Sequence, residues 1–174
     1  MIRLMTFCLC LLFAGIPPVQ AQTCNNAIPA SAPASRYQVH ANGTVTDRQT
    51  GLMWKQCAEG LSGAECATGK AATLTWQQAL QRSSTLNVSG GFAGHTDWRL
   101  PNLKELQSLR EVSCYSPAIN TTIFPSTGGL SVFWSSSPGA NVSNNAWYVF
   151  FDDGNSYNDD RSFNFRVRLV RSGQ

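Results

Sequence analysis

The stretch FDDGNSYNDD gathers Asp152, Asp153, Asn155, Asn158, Asp159 and Asp160 within nine positions. Carboxylates and amides are hard oxygen donors, and a calcium ion takes roughly six to eight of them. Asp152, Asp153, Asp159 and Asp160 are therefore candidate calcium ligands. The spacing is not that of an EF-hand, since no glutamate closes the loop and no glycine follows the third ligand. Asp153-Gly154 suits a polar hairpin turn for reasons of backbone geometry alone, and the hairpin reading is preferred. No cofactor is required, with calcium kept as an option.

A second group is cationic. Arg161, Arg166, Arg168 and Arg171 cluster near the C-terminus. In an extended strand Arg166 and Arg168 share one face, and guanidinium forks suit sulfate or carboxylate groups. Tyr115, Phe124, Tyr148 and Tyr157 sit in or beside expected loops, where aromatic rings can stack on sugars. These seven residues are the candidate ligand-binding set. Trp54, Trp76, Trp98, Trp134 and Trp147 fall on expected strands or a helix face and are assigned to the core.

Catalytic patterns are missing from the chain: there is no GxSxG elbow, no HExxH and no glycine-rich phosphate loop. His95 and Asp97 with a nearby serine, or Asp97 with Glu105, are the pairings that remain. The first reads as a polar loop, and Glu105 belongs to a helix cap. The expectation is a protein that is not an enzyme.

Six cysteines are present. Cys8 and Cys10 lie in an apolar N-terminal run preceded by Arg3, with small residues Val19 and Ala21 where a signal peptidase reads. Residues 1–21 are thus expected to be a cleaved signal peptide, too short in its apolar run to span a bilayer comfortably. The residues before Cys8, Cys10 and Cys24 argue against lipidation. The product is expected to be secreted or periplasmic, without a stable membrane span. The remaining Cys24, Cys57, Cys66 and Cys114 allow three disulfide pairings. Cys57 and Cys66 flank a short polar loop, which favours Cys57–Cys66 and leaves Cys24–Cys114. A zinc site is the rival, but there is no CxxC pair and only His40 and His95 to assist. The formal charge of +3 falls to +2 without Arg3, which is no footprint for nucleic acid.

The positioning elements follow from pattern. Residues 22–35, with their prolines and small residues, read as an extended linker, and 36–174 as one domain. Asn42-Gly43 marks a hairpin between Tyr37–His40 and Thr44–Asp47, with Leu52–Gln56 as a third strand. Trp76, Ala79, Leu80 and Ser83 lie at helical spacing behind a Thr75/Gln78 capping box. Trp98 and Leu100 read as a short strand stopped by Pro101. Asn102 and Glu105 then cap a helix carrying Leu103, Leu106 and Leu109. VFWSSS, AWYVFF and FNFRVRLVR read as strands, the last alternating Phe163, Phe165, Val167 and Leu169 with Asn164, Arg166, Arg168 and Val170. The fold class expected is α+β.

With these pieces placed, the segments NGTVTDRQTGLMW, TWQQAL, GGFAGHTDWRLPNLKEL, YSPAINTTIFP, FWSSS, AWYVFFDDG and VRLVR resemble a known family. It is the bacterial domain family typified by the C-terminal domain of the Legionella collagen-like adhesin. More remotely, WRLP leading into a helix and a closing VRLVR strand look like the C-type lectin-like fold shared by formylglycine-generating enzymes. The resemblance implies two helices packed on a twisted antiparallel sheet, with Leu52–Gln56 pairing Arg166–Val170. It places a binding pole at the loops between Tyr115 and Ser137 and at the Phe151–Arg161 hairpin. It also implies a non-catalytic adhesion module whose partner is a glycan, sulfated or anionic among the options, or a cell-surface protein. An enzyme reusing the formylglycine-generating fold and a structural cell-envelope domain are the alternatives. The adhesin's collagen-like stalk has no counterpart in this sequence, so trimerisation is not carried over.

Overall fold

The computed structural model describes residues 22–140 and 142–173. The expected signal segment, residues 1–21, lies outside the described residues. Strand β1 (Thr23–Cys24) is followed by a meander of β2 (Tyr37–Val39), β3 (Thr44–Asp47) and β4 (Leu52–Lys55). Two short strands, β5 (Leu61–Ser62) and β6 (Thr68–Gly69), form a flap, and β7 (Thr73–Leu74) leads into α1 (Trp76–Val88). Helix α2 (Leu103–Gln107) precedes β8 (Cys114–Tyr115). The C-terminal part carries β9 (Val132–Pro138), β10 (Asn145–Phe150), β11 (Asn155–Asp160), β12 (Phe165–Arg166) and β13 (Val170–Ser172). The architecture is α+β, mostly sheet, with two disulfides.

There are two main sheets. One runs β13-β4-β3-β2 and the other β11-β10-β9-β12-β7. The expected meander forms with Val45 opposite both Val39 and Trp54. Asn42 accepts hydrogen bonds from Thr44 N and Oγ1, which folds the expected turn. Both helix starts carry the full reciprocal cap, Thr75 with Gln78 and Asn102 with Glu105. Both disulfides pair as expected, Cys24–Cys114 and Cys57–Cys66.

The second sheet separates two apolar cores. On one side Phe133, Val149 and Phe151 meet Val45, Trp54 and Val170 of the first sheet, with Leu106 and Leu109 from the α2 region. On the other, Trp134 and Ala146 pack with Trp98, Leu100 and Ala79 of α1. Alternation along β9 sends Phe133 to the first core and Trp134 to the second. Trp54, Trp98 and Trp134 are fully buried as expected, while Trp76 and Trp147 are only partly so.

Three expectations need correction. Residues 22–35 are not a free linker. Gln22 Nε2 donates to the carbonyls of Pro117 and Ile119, and Glu111 accepts from the backbone N–H groups of Ser31 and Ala32. Ala32 is fully buried, so small residues here are packing rather than spacing. Next, FNFRVRLVR is not one strand. It splits into β12 and β13, which join different sheets, and Val167, Arg168 and Leu169 cross between them fully buried. The closing pairing is therefore Val170–Ser172 against Leu52–Trp54, displaced along the chain from the expected register. Finally, most of the acidic stretch is itself a strand, β11, paired with β10 from Asn145↔Asp160 to Phe150↔Asn155.

Candidate recognition surface

The expected site residues do not form one group. Phe124 is buried, edge-on to Tyr37 at 5.4 Å. Arg168 is also buried. Its Nη1 donates to the carbonyls of Lys55 and Gln56, its Nη2 to Thr127 Oγ1, and its guanidinium lies 4.8 Å from the Phe124 ring centre. Burial pulls its pKa down to about 9, which leaves it charged at neutral pH. Arg171 is buried against Asp97 at 2.7 Å, and Arg166, half-buried, donates to Ser126 O and Ser131 Oγ. The basic strand face thus dissolves, because the alternation expected of one strand runs across two sheets. Arg161 stacks on Trp76, 4.3 Å from its ring centre, beside the start of α1. Tyr115 is exposed on the β1–β8 ladder next to the Cys24–Cys114 bridge.

The calcium candidates do not converge either. Asp153 sits at the turn, accepting from Asn155 N and Nδ2 and from the Tyr157 hydroxyl. Asp159 and Asp160 lie at the far end of β11, roughly 13–16 Å along the strand from Asn155 at ordinary rise, and as neighbours in a strand they face opposite sides. Asp160 accepts from Ser162 N. Among the described residues no three His, Cys, Asp or Glu side chains form a metal-binding group.

Tyr148 and Tyr157 are brought together. They oppose each other across β10 and β11, ring centres 5.9 Å apart. Phe165 of β12 joins them at 4.9 Å from Tyr148, and Phe163 stacks on Phe165 at 6.1 Å. Trp134 lies beneath, 4.5 Å from Phe165. Helix α1 covers the Trp134 end of this sheet face and leaves the rest open. The open part is a shallow hollow of about 390 Å³ lined by Val132, Tyr148, Phe150, Asp153, Tyr157 and Phe165.

The electrostatics of this shelf are defined. Burial pushes the Asp153 carboxyl up, but the donors from Asn155 and Tyr157 outweigh it and hold the group below the usual carboxylate range. The hydrogen bond to Asp153 raises Tyr157, and burial with nearby carboxylates raises Tyr148. At neutral pH the shelf therefore presents uncharged phenols beside the Asp153 carboxylate, with Asp159 a second negative charge near Tyr148. The rings supply apolar area with polar rims, and Asp153 accepts from a donor.

The sequence model of the Lcl C-terminal domain matches residues 43–171. The chain belongs to this family. No curated protein matches it significantly. The match confirms the adhesin-domain resemblance and runs from the β2–β3 turn into β13, so it contains every residue of the shelf. An adhesin-type domain meets a partner at its surface. The two disulfides fit an oxidising, non-cytoplasmic setting, and among the described residues no helix is long and apolar enough to cross a membrane.

In the sequence Phe163 and Phe165 read as one face of a single strand, opposite Arg166 and Arg168. Their contact with Tyr148 depends on β12 lying beside β9 in the second sheet, which no local pattern announces.

Proposed function

We propose that this chain is an exported, non-catalytic recognition module of C-type lectin-like plan. Its aromatic shelf receives the C–H face of an uncharged sugar ring. The observation that carries this reading is the open array of Tyr148, Tyr157 and Phe165 around the Asp153 carboxylate. A sugar lays its apolar face on the rings and donates a hydroxyl to Asp153, whereas a sulfate there meets a like charge. A binding role is further supported by the state of the reactive groups. All four described cysteines are in disulfides, Asp97 is paired with Arg171, and Glu105 is held by both nitrogens of the Arg99 fork at 2.7 Å. None of these is set up as a nucleophile or a proton-transfer partner.

The test is a glycan array probed with the oxidised protein, with and without a calcium chelator and at raised salt, alongside Tyr157→Ala. Selective binding of uncharged glycans that survives chelator and salt, and falls about tenfold in the variant, is the expected outcome. Binding confined to sulfated glycans, salt-sensitive and indifferent to Tyr157→Ala, would move the site to Arg161. Silence across the array would leave a surface protein or a structural envelope role.

A further inference from the structure

A second hollow lies away from the aromatic shelf and shares no residue with it. It is a cleft of about 530 Å³ between the β2–β3 turn (His40–Gly43), the loop closed by Cys57–Cys66, and Phe92. The size falls within the usual range for small-molecule sites, roughly 300–1,000 Å³. Its walls are built tightly. Gly43 has φ +80°, and a Cβ there would stand 3.2 Å from the Phe92 ring, so the turn and the ring fix each other. The Gly43 carbonyl accepts from Gln56 N at 3.0 Å, which ties the turn to the opposite wall.

The floor holds a charged side chain in an apolar strand. Lys55 is largely buried, its Nζ bonded to Glu59 Oε1 and 4.4 Å from the Phe92 ring centre. Glu59 is itself fully enclosed, and its second oxygen accepts from Arg82 Nε at 2.6 Å. Two cations thus share one carboxylate, and the triad keeps one unmatched positive charge. Arg82 is well exposed to solvent, while the small accessible part of Lys55 opens on the cleft. A charge in such a place is weakly screened and seeks a counter-anion. Phe92, Leu61 and Ala64 offer apolar surface beside it.

We infer that this cleft binds a small organic carboxylate, its anionic group at Lys55 Nζ and its apolar body against Phe92 and Leu61. The site is separate from the glycan-binding shelf and does not depend on it. Lys55 is the lysine or arginine that lines the cleft, and Glu59 lies enclosed behind it rather than in the lining.

Benzoate is a suitable probe and benzamide its uncharged match in shape, both titrated into the oxidised protein and followed by backbone amide NMR shifts. Benzoate should give saturable shifts at Gly43, Gln56 and Gly63, with benzamide at least about tenfold weaker. Lys55→Met should remove the benzoate shifts while Tyr148 and Tyr157 amides keep their wild-type positions. Equal binding of the two probes to the wild-type protein would overturn the inference, and this comparison stands even if the variant fails to fold. Shifts scattered away from the cleft, or no saturation at tens of millimolar benzoate, would overturn it as well.

Discussion

Replacing Arg168 by methionine separates two readings of the C-terminal segment. On a solvent-facing strand, Arg168→Met and Arg166→Met would be equivalent and nearly silent. In the structure they differ, because Arg168 is buried and bonds Lys55 O, Gln56 O and Thr127 Oγ1. Methionine fills much of the same volume but leaves three acceptors without their donor, each costing about 1–3 kcal/mol when buried. Relief of the guanidinium's desolvation, the cause of its lowered pKa, offsets part of this. A net loss of about 3 kcal/mol follows, a large share of the roughly 5–15 kcal/mol that holds a domain together. With a urea slope near 1.5 kcal/mol/M, the unfolding midpoint should drop by about 2 M. Arg168→Lys should recover little, since one ammonium cannot reproduce the fork. Arg166→Met should cost under about 1 kcal/mol. Equilibrium urea unfolding under non-reducing conditions, followed by tryptophan fluorescence, measures all three. An unchanged or raised midpoint in Arg168→Met would falsify the reasoning and show that the buried cation is carried at a net cost.

Two further outcomes concern the docked N-terminal segment. Burial pushes the Glu111 carboxyl up, but donors from Ser113, Ala32 and Ser31 outweigh it and hold the group below its ordinary range. A folded-state value below the unfolded one stabilises above the ordinary carboxylate range, near pH 4.3, and is lost as pH falls through the folded value. Glu111→Gln should therefore lower stability at neutral pH and flatten its decline between about pH 5 and pH 2. Urea midpoints across that range that ran parallel to wild type would count against this. The Cys24–Cys114 bridge spans a separation of 90 residues and Cys57–Cys66 only 9. Chain entropy assigns about 4–5 kcal/mol to the long loop and about 2–3 to the short one. Double alanine variants should thus rank in that order by urea unfolding, and the reverse ranking would mean that packing of the Cys57–Cys66 loop dominates.

Whatever the sequence encodes locally was legible. The Asn42-Gly43 hairpin, the capping boxes at Thr75 and Asn102 and both disulfides rest on spacings of a few residues or on simple elimination among cysteines, whereas the strand expected at Trp98–Leu100 is a single bridge from Arg99 to Val170. The family, too, is written in short ordered segments. What went unread depends on which strands lie side by side. Phe163 to Val170 alternates like one strand, yet the chain leaves one sheet and enters another within it, so Arg168 turns inward and Phe165 meets Tyr148. Prolines and small residues made 22–35 resemble a linker, because composition does not reveal that Glu111 waits to receive the Ser31 and Ala32 amides. Lys55 is a lone charge in an apolar strand, and only the approach of the Gly43 turn and Phe92 makes it part of the lining of a cleft. Local turn and cap chemistry acts between neighbours and is present in the linear order. The shelf and the cleft join residues tens of positions apart, and only the pairing of sheets sets those distances.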